Sequence, residues 1–153
     1  MIIEKAETAD LQQILKLQYL AYKSVAKIYN DFSIEPLTQT IESVWHEFEK
    51  GIFLKAVGGA GEIIGSVRAY IDDDTAYIGK LMVNPTKQGQ GIATKLIYAI
   101  ERECLVERYE LFTGSKCTDN LRLYERLGYL RFKEKAITNE ITLVYLEKHT
   151  GGI

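Results

Sequence analysis

Residues 77–100, YIGKLMVNPTKQGQGIATKLIYAI, decide the fold. Residues 77–83 are apolar and rich in strand-favouring side chains, so they predict a β-strand. The strand must end at Asn84-Pro85, because proline has no N–H to give to a ladder. Apolar residues then recur at every fourth position, which predicts an amphipathic helix (Ile92, Leu96 and Ile100). Between strand and helix lies a glycine-rich turn, Gln88-Gly89-Gln90-Gly91-Ile92-Ala93.

This turn leaves the first N–H groups of the helix unpaired and pointing one way, which makes a site for an anion, most often phosphate. Glycine at 89 and 91 lets a diphosphate approach the backbone, because a side chain there would hold it away. An ordinary loop and a dinucleotide fingerprint are the alternatives. The fingerprint fits poorly, because Thr94 replaces its third small residue and Glu110 stands near the beginning of the next strand, not at its end.

Length and composition predict one globular domain over residues 1–148, followed by a C-terminal tail at 149–153. The net charge is −2 and no basic cluster stands out, which argues against a nucleic-acid partner. Two cysteines make no disulfide framework, so a reduced, cytoplasmic location is expected. No segment reaches membrane-spanning length, and the charged N-terminus does not fit a signal peptide, so no membrane partner is expected. Asp72-Asp73-Asp74 lacks the other ligands of a calcium loop and is interpreted as a turn, so no metal is expected.

The elements follow the order β-α-α-β-β-β-α-β-α-β-β, which predicts an α/β (α+β) fold with a mixed, mostly antiparallel sheet of about seven strands flanked by four helices. The second helix is expected over residues 36–49, and the central helix is expected to end near 107. Residues 58–61 are interpreted as a hairpin turn, because a strand and not a helix follows their glycines.

A second motif is DNLRLYERLGY, residues 119–129. Asn120 and Tyr124 are four positions apart, so their side chains share one face of a helix. Taken alone, Tyr124 would be interpreted as a core tyrosine.

Together, the two motifs resemble the GNAT N-acetyltransferase superfamily. Its acetyl-CoA signature, Gln/Arg-x-x-Gly-x-Gly/Ala, is filled by Gln88, Gly91 and Ala93, and its asparagine-to-tyrosine helix closes with Leu-Gly-aromatic. The resemblance implies the GNAT acyl-CoA N-acyltransferase fold, with acetyl-CoA as co-substrate and no metal. Arginine is more frequent at the first signature position, so Gln88 removes one charged contact with the diphosphate.

The resemblance also implies the site residues. A bulged strand would hold the pantetheine and the thioester carbonyl, Asn120 would contact the pantetheine arm, and Tyr124 would lie beside the sulfur. The implied cofactor-binding residues are Leu81, Met82, Val83, Gln88, Gly89, Gln90, Gly91, Ile92, Ala93, Thr94, Asn120 and Tyr124. Tyr124 is the expected catalytic acid, which with an unperturbed pKa of about 10 would give its proton to the departing thiolate. Cys117 is interpreted as a lining residue, since no histidine is close enough in sequence to activate it.

The general base and the acceptor pocket are less defined. Family members that use a strand carboxylate place it where this chain has Tyr77 and Gly79, so the base is left open among Asp31, Glu35, Glu42 and a water chain. The resemblance places specificity around the first two helices and the turn between them, where aromatic residues could hold an amine. The predicted substrate-pocket residues are Tyr22, Tyr29, Phe32 and Tyr77.

The resemblance therefore implies an acyltransferase that moves an acetyl group from acetyl-CoA to a primary amine, which we expect to belong to a small molecule, by direct attack in a ternary complex. Two alternatives are kept: a protein or peptide N-acetyltransferase, and a non-catalytic CoA-binding module. The expected partner is the small-molecule amine, and a homodimer is left open.

Overall fold

The computed structural model describes residues 1–150 and is built on one seven-stranded sheet. The strands are β1 (Ile2–Lys5), β2 (Ile52–Val57), β3 (Ile63–Asp72), β4 (Thr75–Val83), β5 (Arg108–Gly114), β6 (Leu130–Ala136) and β7 (Thr142–His149). Their order in the sheet is β1-β2-β3-β4-β5-β7-β6. Neighbouring strands are antiparallel except β4 and β5, which are parallel, so the mixed, mostly antiparallel sheet is confirmed.

Within residues 1–150, five α-helices flank this sheet, one more than the sequence predicts. They are α1 (Leu11–Tyr29), α2 (Glu35–Thr38), α3 (Ile41–Lys50), α4 (Ile92–Cys104) and α5 (Thr118–Arg126). The α/β class and the order of the strands along the chain are confirmed, and the number of helices differs from the prediction by one.

The extra helix arises because the predicted second helix is broken at Gln39 and Thr40. Gln39 has extended backbone angles (φ −61°, ψ 136°) and a buried side chain whose oxygen accepts hydrogen bonds from Gln18 Nε2 at 2.9 Å and Arg68 Nη2 at 2.8 Å. Thr40 then caps α3 by accepting from the backbone N–H of Ser43 at 3.2 Å. Both features compensate for the helical hydrogen bonds that the break gives up.

The helices cover opposite faces of the sheet. Leu54 packs with α4 and α5, whereas its neighbour Phe53 packs with α1 and α3, and successive strand residues point to opposite faces. The predicted apolar stripe of α4 is confirmed, since Ile92, Leu96 and Ile100 are all buried. Burial of each such side chain contributes about 1.5–3 kcal/mol, which fixes α4 firmly beneath the strands.

Two boundaries differ from the sequence prediction. Helix α4 ends at Cys104 and not near residue 107, with Leu105 at φ +24°. The last strand includes His149, which pairs with Arg108, and Thr150 donates from its backbone N–H to Glu107 O at 2.9 Å. The predicted tail therefore begins later than residue 149, and residues 151–153 lie outside the described part of the chain.

Residues 58–61 form the β2–β3 hairpin turn, as predicted. Asp73-Asp74 form the β3–β4 turn, whereas Asp72, which the sequence predicts to belong to this turn, is the last residue of β3 and pairs with Thr75. Within residues 1–150, no helix is both long enough and apolar enough to cross a membrane.

Candidate active site

The sheet opens between its two parallel strands. Among the described residues, β4 pairs with β5 only from Thr75 to Tyr77, and the strands then part. On its other edge β4 carries a bulge, because Lys80 and Leu81 together stand opposite Val67 of β3. Lys80 sits in the left-handed region at φ +51°, which is uncommon for a non-glycine residue. The bulge and the opening together free part of β4 from ladder pairing, as the predicted thioester site requires.

The glycine-rich turn follows directly after this strand. Gly89 and Gly91 have φ of +80° and +78°, which glycine tolerates and other residues resist, and Gly91 is the N-cap of α4. A Cβ atom at either position would meet no atom within 4 Å. The turn therefore faces open space, into which the first N–H groups of α4 can bind an anion.

A cleft of about 510 Å³ runs from this turn to the end of β4. Ten of the twelve predicted cofactor-binding residues line it: Leu81, Met82, Val83, Gln88, Gly89, Gly91, Ile92, Ala93, Thr94 and Asn120. The opposite walls come from α1 and α5. The other two predicted residues do not line the cleft: Gln90 is exposed on the surface, and Tyr124 is buried behind the lining residues.

Tyr124 is only 5% exposed and belongs to the main core. It follows Cys117 by two helical turns, and a long helical side chain leans toward the N-terminus of its helix, so the Tyr124 hydroxyl leans toward Cys117. Burial raises the pKa of Tyr124 above its ordinary value, and nearby Tyr22 and Cys117 add to the effect. The expectation of an unperturbed pKa is wrong, because the sequence does not reveal how completely the phenol is removed from water.

Three cations also line the cleft, and the sequence analysis missed them: Lys87, Lys116 and Arg126. Asp119 is the acidic residue in the lining. Three positive charges against one negative charge in the lining favour an anionic ligand. Arg126 could have been found from its three-residue spacing with Leu123 and Asn120 along α5, whereas nothing in the sequence around Lys116 indicated a role.

The α1 wall was predicted only in part. Its lining residues are Ala21, Tyr22, Ser24, Val25 and Ile28. Cys117 faces the same space, and burial raises the pKa of its thiol, which disfavours the nucleophilic thiolate. Its position agrees with the interpretation of Cys117 as a lining residue.

The structure does not bring the four predicted substrate residues into one pocket. Tyr22 is half-buried in the cleft wall. Tyr29 is buried beside Cys117, and its hydroxyl oxygen accepts from the backbone N–H of Lys116 at 3.0 Å, which is a packing role. Phe32 is 55% exposed, and Tyr77 stacks on Tyr70 with ring centroids 5.1 Å apart; neither is in the cleft lining.

The three carboxylates considered as the general base lie in different surroundings. Asp31 accepts a local hydrogen bond from the backbone N–H of Ser33 at 2.9 Å, and Glu42 is exposed on α3. Glu35 reaches the bulge of β4, where its Oε2 lies 2.8 Å from Lys80 Nζ. Of the three, only Glu35 contacts the strand that borders the cleft. A Cβ at Gly79 would meet nothing within 4 Å, so the strand position that could carry an acid opens onto free space.

Comparison with known proteins agrees with this geometry. A family model described as the acetyltransferase (GNAT) family matches residues 11–129. The PaiA N-acetyltransferase of Thermoplasma acidophilum, solved in complex with coenzyme A, superposes with a TM-score of 0.78 at 17% identity, over 97% of this chain and 99% of that one. A GNAT-family acetyltransferase of Staphylococcus aureus gives 0.77 at 14% identity, over 97% and 98%.

The ribosomal-protein-S18-alanine N-acetyltransferase of Escherichia coli gives a TM-score of 0.73 at 17% identity, over 97% of this chain and 92% of that one. At such identities the superpositions show the shared fold alone. A comparison with curated protein sequences finds no match.

Proposed function

The chain belongs to the acetyltransferase (GNAT) family, and on that premise we propose that it transfers an acetyl group from acetyl-CoA to a primary amine of a small molecule, by direct attack in a ternary complex. One observation carries the proposal: a single cleft joins an open glycine turn at a helix N-terminus to the end of β4, whose edge toward β5 is unpaired beyond Tyr77 among the described residues. These are the two features that a diphosphate and an attached thioester need, a cradle of N–H groups and an edge of free backbone.

Each part of acetyl-CoA has residues in the cleft that would hold it. The N–H groups at Gly89–Thr94 would hold the diphosphate, where the positive φ of Gly89 and Gly91 leaves room. Lys87, Lys116 and Arg126 would balance its charge. Asn120 would contact the pantetheine arm, and Leu81, Met82 and Val83 would hold the thioester.

When bound, acetyl-CoA supplies an activated acyl group. The backbone N–H groups at the end of β4 would hold the carbonyl oxygen and stabilise the negative charge that develops there. Tyr124 keeps its proton at neutral pH and would give it to the departing sulfur. The chain otherwise contributes alignment of a neutral amine with the carbonyl carbon, which supplies a large part of the rate increase in such reactions.

Crowding beside the bulge favours a small acceptor. The segment of residues 35–40 is fastened to α1 by hydrogen bonds from Gln18 Nε2 to Pro36 O at 2.8 Å and from Tyr19 Oη to Gln39 O at 2.5 Å. The ion pair of Glu35 with Lys80 ties the same segment to β4. A peptide would need an open groove here, so this fastened segment favours a small amine as the acceptor.

The test is release of free thiol from acetyl-CoA, measured with a panel of small amines, amino acids and peptides. We expect turnover with members of the small-amine set. Turnover with peptides alone would support protein acetylation instead. Tight coenzyme A binding without turnover on any amine would support a non-catalytic module and contradict the proposal.

A further inference from the structure

Tyr22 lies in the cleft wall on α1, across from the helix that carries Tyr124. It lines the same space as Leu81 and Met82 at the end of β4, and as Cys117 at the start of α5. The Tyr124 side chain leans toward Cys117 from two turns along α5. Tyr22 therefore lies at the end of the cleft behind whose lining Tyr124 packs, next to the strand proposed to hold the thioester.

The electrostatics agree with this placement. The charge of Tyr22 is the first charge that raises the pKa of Tyr124, after the effect of burial, and Cys117 acts on both phenols. Groups influence one another in this way only when they are close and poorly screened by water. This mutual effect agrees with the positions of Tyr22 in the cleft wall and Tyr124 on α5, on either side of Cys117.

The buried guanidinium of Arg68 lies near Tyr22 and is linked to α1 through Gln18. Gln18 and Tyr22 are one turn apart on the same face of α1, and Gln18 Oε1 accepts from Arg68 Nη2 at 3.2 Å. Arg68 is 4% exposed, with Nε 2.7 Å from Glu47 Oε2, and its Nη1 has no hydrogen-bond partner among the described residues. Burial raises the pKa of Tyr22, and the positive charge of Arg68 lowers it. The Tyr22 hydroxyl is therefore a stronger hydrogen-bond donor than burial alone would allow.

Two other groups act on Tyr22. Glu35 on α2 and Cys117 at the start of α5 each raise its pKa, so they keep its proton in place. Tyr22 consequently remains a neutral hydroxyl with a proton to share. Nothing in the proposed acetyl transfer uses that hydroxyl.

We propose that Tyr22 is a second catalytic residue, whose hydroxyl donates a hydrogen bond to the coenzyme A sulfur together with Tyr124. In the transfer a C–N bond forms, the C–S bond breaks, and the electron pair leaves on sulfur. Tyr124 supplies the proton that sulfur takes up and regains one, through water, from the attacking amine. Tyr22 keeps its own proton and stabilises the sulfur charge while that exchange occurs. This inference rests on the proposed function.

The test needs no acceptor, because it measures the bound thiol itself. Coenzyme A with an isotopic carbon label beside its sulfur is bound to saturation, and the NMR shift of that carbon is followed as a function of pH. The proteins compared are the wild type, Tyr22→Phe, Tyr124→Phe and the double variant. Tyr98→Phe is the matched control, since Tyr98 is an exposed tyrosine on α4 outside the cleft lining.

We expect Tyr22→Phe and Tyr124→Phe each to raise the pKa of the bound thiol by about one to two pH units, as loss of one hydrogen bond to a charged group predicts. The double variant should raise it further, and Tyr98→Phe should match the wild type. A Tyr22→Phe complex that titrates like the wild type overturns the inference and leaves the proposed function standing. Failure of the wild type to bind coenzyme A overturns both.

Discussion

Arg68 Nη2 donates a hydrogen bond to Gln39 Oε1 at 2.8 Å inside the protein, and this contact fixes the break between α2 and α3. The same amide oxygen accepts from Gln18, so three elements meet at one buried polar group. The segment of residues 35–40, whose Glu35 contacts Lys80 of the β4 bulge, is held in place by this network.

Replacing Gln39 with leucine should therefore destabilise the protein. The change leaves a buried guanidinium without one of its acceptors, so we expect the free energy of unfolding to fall by about 2–4 kcal/mol. Urea denaturation measures it. Gln12→Leu, an exposed position on α1, should stay within about 0.5 kcal/mol of the wild type. Equal stability of the two variants would show that the Arg68–Gln39 contact contributes nothing.

Valine at position 91 should abolish tight coenzyme A binding. The new side chain would project into the open space that the diphosphate needs, and calorimetric titration should show at least a tenfold loss of affinity, about 1.4 kcal/mol. The positive φ also makes the backbone unfavourable for valine, at a cost of about 1–2 kcal/mol in stability.

Gly61→Val separates these two effects. Gly61 has φ +84° and free space around its Cβ direction, but it lies in the β2–β3 turn, away from the cleft. The Gly61→Val variant should lose about as much stability as the Gly91→Val variant and should keep the wild-type affinity for coenzyme A. Parallel losses of affinity in both variants would mean that strain, and not obstruction, is responsible.

Arg126 should contribute to binding through its charge. We expect Arg126→Gln to weaken coenzyme A binding about fivefold, about 1 kcal/mol, with the difference shrinking as salt is added. Arg122→Gln is the matched control, because Arg122 is on the same helix, has the same charge and is outside the cleft lining. Binding curves for Arg126→Gln and Arg122→Gln that coincide at low salt would remove Arg126 from the site.

Tyr124→Phe should slow turnover by about tenfold to a thousandfold, the usual range for loss of a general acid. Coenzyme A affinity at neutral pH should change little, since the phenyl ring still fills its place. Because burial raises the pKa of Tyr124, the phenol stays protonated to a higher pH than an ordinary tyrosine. The wild-type rate should then show no loss from this group as the pH rises toward about 10. An unaltered rate in Tyr124→Phe would exclude Tyr124 as the acid.

The parts of the structure set by local sequence could be predicted, and the parts set by distant contacts could not. The strand, the glycine turn and the stripe of Ile92, Leu96 and Ile100 follow from residue type and spacing within one segment, and the structure has all three. The break at Gln39 depends on Arg68, which lies 29 residues away, so the helical pattern of residues 36–49 gave no warning of it. A buried polar contact outweighed local helix propensity there.

In the candidate site, too, the residues within one segment could be predicted and those from distant segments could not. The residues of the glycine turn lie in one short stretch, and the structure places all of them except Gln90 on one cleft. Lys116 and the α1 wall come from other segments, and only the folded chain shows that they face the same space. Tyr29 and Phe32 are both aromatic residues near the end of the first predicted helix, so the sequence does not distinguish them. Tyr29 is buried and Phe32 is exposed, because tertiary packing decides the burial of an aromatic side chain.

A crystal structure grown with coenzyme A tests the central claim most directly. The account predicts electron density for the diphosphate on the N–H groups at Gly89–Thr94, with the sulfur beside Tyr124 and the end of β4. Density for the cofactor at any other place, or a cleft that stays empty at saturating coenzyme A, would contradict it.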